Sequence, residues 1–330
     1  MKTALYVEGA AERGGIEVFA ERQAAKLRAE GHEVVVAGRV EDVPGDCGEI
    51  FVHKCTSPET LAKFPPEKTV VYVHDHEPIC PRTYAYDLLR RNCARPGGVW
   101  PCLFCAPACR DWKGALRRVF AQGRRKRALA KVKRIVVISE FMKGRLVANG
   151  LPEGKIAVEK PVVREAGEAR PVEEAVDVLY VGQLIRGKGV QVLLEAMAKL
   201  DASRTLDVVG AGNMEGRLKA QAERLGLGVR VRWRGFVDSA RDWMAAARVV
   251  VVPSVWQEPY GLVAAEAVAL GRRVVASDIG GLPEACGGKA TLVPAGDAAA
   301  LARAIAGMSD DCNRLHSTAI DGNRMGRREP

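Results

Sequence analysis

The residue types best suited to chemistry concentrate in QEPYGLVAAEAVALG, 257–271, where Glu258 and Glu266 stand with seven residues between them around a Pro-Tyr-Gly turn. A carboxylate oxygen accepts hydrogen bonds from neighbouring hydroxyls, so the pair suits a polyhydroxylated ligand. The turn follows VVVVPS (249–254) and leads through an Ala-rich helix into VVASDIGG (274–281). Both flanking runs read as buried strands, which makes a parallel βαβ unit. Glu258 then lies in the loop, and Glu266 lies about one turn into the helix. The first N–H groups of that helix have no intrahelical partner and can face an anion or hydroxyls. Loops at the carboxyl ends of strands are where open α/β sheets bind ligands. For an arbitrary Glu pair, a surface carboxylate plus a helix-dipole carboxylate is the plainer reading.

Other residues fit the same kind of ligand. In VGQLIRGKGV (181–190), Lys188 sits between Gly187 and Gly189, a placement suited to phosphate oxygens near a helix N-terminus, with Arg186 nearby. Gly9, Gly14 and Gly15 follow the first strand, but their spacing is not G-x-G-x-x-G, so no dinucleotide fingerprint is read there. Gly210 and Gly212 follow the strand-like TLDVV (205–209). His74 ends VVYVH (70–74), with His76 two residues on, and Ser139 after RIVVI is a ready helix N-cap.

The elements that must hold these residues are strands alternating with helices. ALYVEG, a helix near Ile16–Glu30, HEVVVAG, EIFVHK, TVVYVHD and RIVVIS fill the first half. VDVLYVG, a helix near Gly189–Leu200, TLDVVGAG, VRVRWRGFV, RVVVVPS and RRVVASDIG fill the second. The polar, Pro-containing stretch 166–175 reads as a linker. The expected organisation is an α/β protein with two doubly wound Rossmann-like domains facing across a cleft: 1–165 with a Cys-rich insertion at 80–109, then 176–309, then a tail at 310–330 with weak periodicity. A length of 330 residues with 48% hydrophobic content supports two cores of ordinary size. No apolar run approaches the roughly 18 residues needed to span a bilayer. Met1-Lys2 runs straight into ALYVEG without a signal-peptide pattern, so a cytoplasmic location is expected.

Together, these motifs resemble the Glu-seven-Glu signature and its companions in retaining GT-B glycosyltransferases of family four (glycosyltransferase group 1 type). The resemblance runs from Gly14-Gly15 to about Asp297 and is strongest over 177–285. It implies transfer of a hexose-type sugar from a UDP- or GDP-sugar to a hydroxyl acceptor. By resemblance, Glu266 binds the ribose hydroxyls, and Glu258 holds the sugar with the backbone of Tyr260, Gly261 and Leu262. Lys188 stabilises the leaving diphosphate, Gly14 and Gly15 approach the diphosphate, Gly210 and Gly212 lie beside the base, and Val237 and Asp238 edge its pocket. His74 matches the family's His-Asp pair beside the transferred sugar. The family pattern has Gly-Arg where this chain has Gly182-Gln183, so one diphosphate-gripping charge is missing, and Arg186 is the nearest replacement. No metal is required for such catalysis. A non-catalytic nucleotide-sugar-binding scaffold and a sugar-nucleotide epimerase on the same fold remain alternatives.

Two further features lie in the first half. Cys80, Cys93, Cys102 and Cys105, with Cys109 as an alternate, fall on an insertion with little periodicity. The Cys102–Cys105 spacing suits two thiolates on one tetrahedral metal, so a structural zinc or an iron–sulfur cluster would fold the insertion. Free thiols and disulfides stay open, the latter disfavoured in a cytoplasm. From Arg110 to Arg134, nearly every second residue is Lys or Arg, opposed only by Asp111, and Trp112, Leu116, Val119, Phe120, Leu129 and Val132 are interspersed. A helix of this kind suits an anionic membrane surface, and the chain carries a net charge of +10. A solvated basic helix is the simpler alternative. No nucleic-acid module accompanies the charge, so nucleic acid is not an expected partner.

Overall fold

Long runs of Val, Ile and Leu produce strands buried on both faces, as a parallel sheet covered by helices on each side requires. The computed structural model describes residues 1–7, 15–53, 57–80, 92–93, 102–103, 112–163 and 169–308. Gly14, Cys105, Cys109 and the tail 310–330 lie outside these residues. The chain divides into two units. The first comprises Met1–Val162 with Trp256–Gly261 and Gly280–Ala285, and the second comprises Val163–Val255, Leu262–Ile279 and Cys286–Pro330.

The first unit contains β1 (Lys2–Val7), β2 (Glu33–Ala37), β3 (Glu49–His53), β4 (Thr69–Val73), β5 (Arg134–Val137) and β6 (Ile156–Val158). All pairings are parallel, in the order β2-β1-β3-β4-β5-β6. Alternate residues feed two cores. Ala4, Tyr6, Ile50, Val52, Val71 and Val73 face one side, and Leu5, Val7, Phe51, Val70 and Tyr72 face the other. That period of two is what a strand imposes. The second side is closed by Ala20 and Ala24 of the helix Gly15–Ala29, with Phe19 packed against it. Strand order reverses between β1 and β3, so their carboxyl ends flank the first unit's switch point.

In the second unit, β7 (Val176–Val181), β8 (Leu206–Val209), β9 (Val231–Gly235), β10 (Ala247–Val252), β11 (Arg273–Ser277) and β12 (Thr291–Val293) form a parallel sheet ordered β12-β11-β10-β7-β8-β9. Val178, Tyr180, Val208, Val249, Val251 and Val275 form a core with Leu193, Leu194 and Met197 of the helix Val190–Met197 and Leu301 and Ile305 of the helix Ala298–Ala306. Each fully buried aliphatic side chain here contributes about 1.5–3 kcal/mol relative to exposure. Strand order reverses between β7 and β10, so the loops that follow them flank the second switch point. Residues 169–175 run along the helix Ala240–Ala246: the Arg170 and Val172 N–H groups donate to the side chain and carbonyl of Asp242 (2.8 and 3.4 Å).

The helix Trp112–Lys131 sorts its residues by face. Ala115, Val119, Gln122, Arg125 and Leu129 are buried, while Lys113, Arg117, Phe120, Arg124, Arg127 and Lys131 form an exposed stripe at three- and four-residue spacing. The basic sequence therefore hides two polar anchors. Gln122 Nε2 donates to the Ile79 carbonyl (2.7 Å) and Arg125 Nη1 donates to the Glu77 carbonyl (2.9 Å), fixing the segment that follows β4. Val119, Leu129 and Val132 belong to the core, whereas Trp112 and Phe120 are exposed by 48% and 62%.

Candidate active site

The second unit assembles its loops through glycine. After β7, Gly182 has φ 151°, and Arg186–Lys188 form one 3-10 turn ending at Gly189 (φ 76°), which starts the helix Val190–Met197. A Cβ at Gly189 would overlap the Pro253 carbonyl, so only glycine lets the β7 and β10 loops close on each other. The Val255 N–H donates to the Gly187 carbonyl (2.8 Å) and ties the two loops together. The Tyr180 hydroxyl donates to the Gln183 carbonyl (2.9 Å). Gln183 and Arg186 are exposed and Lys188 is half-buried. Gly210 and Gly212 pack against the backbone of Gly182 and Leu184, which gives both glycines a structural reason beside any ligand role. Val237 is half-buried and Asp238 exposed beyond β9. Leu262 opens the helix Leu262–Ala269, and Glu266 is half-buried on it.

Glu258 belongs to the segment that packs with the first unit. It is 4% exposed, in a loop with buried Ser254, Trp256, Gln257 and Tyr260. The Gly281 N–H donates to the Glu258 carbonyl (2.7 Å), and a Cβ at Gly280 would meet the Glu258 backbone. Ser139 caps the helix Glu140–Val147 by accepting from the Met142 N–H (3.1 Å), and its hydroxyl donates to the Pro259 carbonyl (2.5 Å). One side chain thus performs both roles open to it. The backbone N–H of Glu140 donates to Glu284 Oε2 (2.8 Å), holding 280–285 on the same surface.

His76 is fully buried beneath this loop, with Nε2 2.7 Å from the Gln257 carbonyl. A carbonyl only accepts, so Nε2 carries the proton and Nδ1 is a buried acceptor without a partner among the described residues. Burial pushes its pKa down to about 4, against the opposing pull of the Gln257 carbonyl. It is neutral at physiological pH.

His74 lies just past β4, half-buried, stacked with His53 and edge-on to Phe19. His53, the last residue of β3, places Nδ1 3.0 Å from His74 Nε2. Sequence reasoning passed over His53. The available signal was that two strands that turn out to be neighbours both end in Val-His, Val52-His53 and Val73-His74. Gly15 begins its helix as expected. Among the described residues, no three His, Cys, Asp or Glu side chains gather as metal ligands, so Cys80, Cys93 and Cys102 form no such group by themselves.

The family model for glycosyl transferases group 1 matches residues 175–311, the span that carries Lys188, Glu258 and Glu266. Over that span the chain is similar to glycosyl transferases group 1. An uncharacterised glycosyltransferase of Methanocaldococcus jannaschii is 40% identical over 111 residues, covering 32% of this chain and 28% of that protein. D-inositol 3-phosphate glycosyltransferase 2 of Catenulispora acidiphila is 36% identical over 193 residues, 50% of this chain and 45% of that one. The matches therefore span less than half the length of these curated relatives. Among solved structures, HepE of Anabaena in complex with UDP aligns over 98% of this chain and 91% of its own, with a TM-score of 0.65 and 18% identity. Sucrose-phosphate synthase of Thermosynechococcus elongatus aligns over 93% and 89%, with a TM-score of 0.67 and 21% identity. These likenesses establish the GT-B fold, two parallel six-stranded sheets with helices.

Proposed function

We propose that this chain is a retaining glycosyltransferase that moves a hexose-type sugar from a nucleoside diphosphate sugar, UDP- or GDP-linked, to a hydroxyl acceptor. The observation that carries this reading is the pair of loops at the second unit's switch point, with Lys188 in one and the Glu258 segment continuing from the other, tied through Val255 and Gly187. The HepE structures with UDP and with UDP-glucose supply the analogy for the donor. Lys188 and the N-terminus of the helix Val190–Met197 would stabilise the leaving diphosphate, the electrostatic task a metal performs in other transferases. Arg186, exposed on the same turn, would add the charge that Gln183 lacks. Glu258 would hold sugar hydroxyls, Glu266 the ribose, and His74 a sugar hydroxyl. The leaving phosphate takes the acceptor's proton, so attack and departure share one face and the anomeric configuration is retained.

Incubation with a panel of nucleotide sugars and polyol acceptors tests this. Acceptor-dependent release of nucleoside diphosphate, with retained configuration by proton NMR, supports transfer. Tight binding without turnover would make the chain a scaffold, and sugar interconversion would make it an epimerase.

Two accessory roles belong to the proposal. The exposed stripe Lys113, Arg117, Phe120, Arg124, Arg127 and Lys131 suits anionic lipid, at about 1 kcal/mol per basic residue near the surface. No helix among the described residues is long and apolar enough to cross a membrane. The chain is expected to sediment with phosphatidylglycerol vesicles at low salt, and to lose that binding when Arg117, Arg124 and Arg127 become Glu. Binding unchanged by charge reversal would reject the stripe. The Cys-rich insertion enters as a structural zinc or iron–sulfur site. Elemental analysis is expected to find about one metal ion per chain or, for a cluster, its iron complement. That metal should be lost when Cys102 and Cys105 become Ser, and a metal-free, fully active protein would refute the site.

A further inference from the structure

His74 ends a chain of hydrogen bonds whose direction can be read from its far end. Glu159, one residue beyond β6, accepts from the Tyr72 hydroxyl (Oη to Oε2, 2.8 Å). A carboxylate is acceptor-only, so Tyr72 spends its proton there and its oxygen accepts from Gln23 Nε2 (2.6 Å). Gln23 therefore turns its amide oxygen to His53, with Oε1 2.7 Å from Nε2. His53 Nε2 must carry a proton to fill that contact. His53 is fully buried, and burial holds its pKa well below the ordinary histidine value, so the ring is neutral and Nδ1 is bare. That bare nitrogen lies 3.0 Å from His74 Nε2, which must donate.

The fold supplies the geometry. His53 and Tyr72 are register partners on β3 and β4, with rings stacked 4.6 Å apart, and the helix Gly15–Ala29 brings Gln23 over both. Every link lies within the first unit. We propose that Glu159 acts through Tyr72, Gln23 and His53 as a positioning chain that fixes His74 Nε2 as a donor and so sets the orientation of the His74 ring. Any effect on transfer rests on the reading that His74 borders the transferred sugar; the proton placement does not.

Long-range proton–nitrogen NMR on 15N-histidine-labelled protein reads each ring directly. The native chain is expected to show Nε2–H with bare Nδ1 for His53, and Nε2–H for His74. Glu159→Gln, which can donate as well as accept, should release the polarity and give His74 a mixture of tautomers, and Tyr72→Phe should do the same. Adding Gln23→Glu to Glu159→Gln should restore the native pattern, because a carboxylate at 23 again obliges His53 to donate. This rescue separates the chain from a general loss of packing. Turnover should fall and recover in parallel, by on the order of a hundredfold if a misoriented His74 displaces the sugar, with nucleoside diphosphate affinity unchanged. A native His74 without a proton on Nε2, or a tautomer unmoved by Glu159→Gln, would overturn the chain. A tautomer that moves while turnover stays constant would keep the chain and remove His74 from the sugar site.

Discussion

Glu258→Gln is expected to suppress sugar transfer by on the order of a hundredfold or more while leaving nucleoside diphosphate affinity close to native. The side chain is 4% exposed, and its loop is fixed by the backbone of Gly281, by Ser139 on the Pro259 carbonyl and by His76 on the Gln257 carbonyl. None of these anchors uses the Glu258 carboxylate. An isosteric amide leaves these backbone anchors in place while removing the charge, and hydrogen bonds to a charged acceptor are about twice as strong as neutral ones. Glu258→Ala should lose as much or more. Initial rates of nucleoside diphosphate release, beside calorimetric titration with the diphosphate alone, separate the two effects. Unchanged rates would take Glu258 out of the site.

Asp207→Ala is expected to be the most damaging single change to stability in the second unit. Asp207 is fully buried on β8, where Arg232 Nη2 approaches Oδ2 to 2.5 Å and Arg234 Nε approaches Oδ1 to 2.8 Å. Arg234 also pairs with Glu174 and lies over the Trp243 ring. Removing the shared carboxylate leaves two guanidinium groups facing each other across an apolar strand. Breaking a buried pair costs about 3–5 kcal/mol. The arginine side chains keep 36% and 22% exposure, so water relieves part of the penalty and the expected loss is near the lower end, about 3 kcal/mol. Urea unfolding followed by the tryptophan signal, which includes Trp233 and Trp243, should show the midpoint move. A shift worth less than about 1 kcal/mol, an ordinary substitution effect, would show that the charges are solvated instead.

Much of the architecture was legible because the central strands are continuous runs such as VVYV and VVVV. Such runs belong only in a parallel sheet buried on both faces. The turn before Tyr260, the helix start at Leu262 and the glycines on either side of Lys188 were legible because such signals are local. What could not be read was set by pairing. Arg232 and Arg234 alternate along β9 toward one face, but the charge they share is Asp207, which is the register partner of Arg232 and is inconspicuous inside TLDVV. The His53–Gln23–Tyr72–Glu159 sequence of contacts joins residues up to 136 positions apart (159 − 23), and nothing local announces it. The basic helix misled in another way. Its composition does not reveal that Arg125 is 5% exposed and bound to the Glu77 carbonyl, because burial depends on the face a residue takes.

The strips Trp256–Gly261 and Gly280–Ala285 come late in the chain, yet they are fitted to Ser139, Glu140 and His76 from its first half. The order of genetic material and the order of assembly therefore disagree. Exchange of whole halves between relatives at a crossover near residue 163 would pair each strip with a surface it did not evolve beside. Functional chimaeras should be recovered mainly when those two short strips travel with the N-terminal parent, so the unit of inheritance in this protein is a patchwork of three stretches.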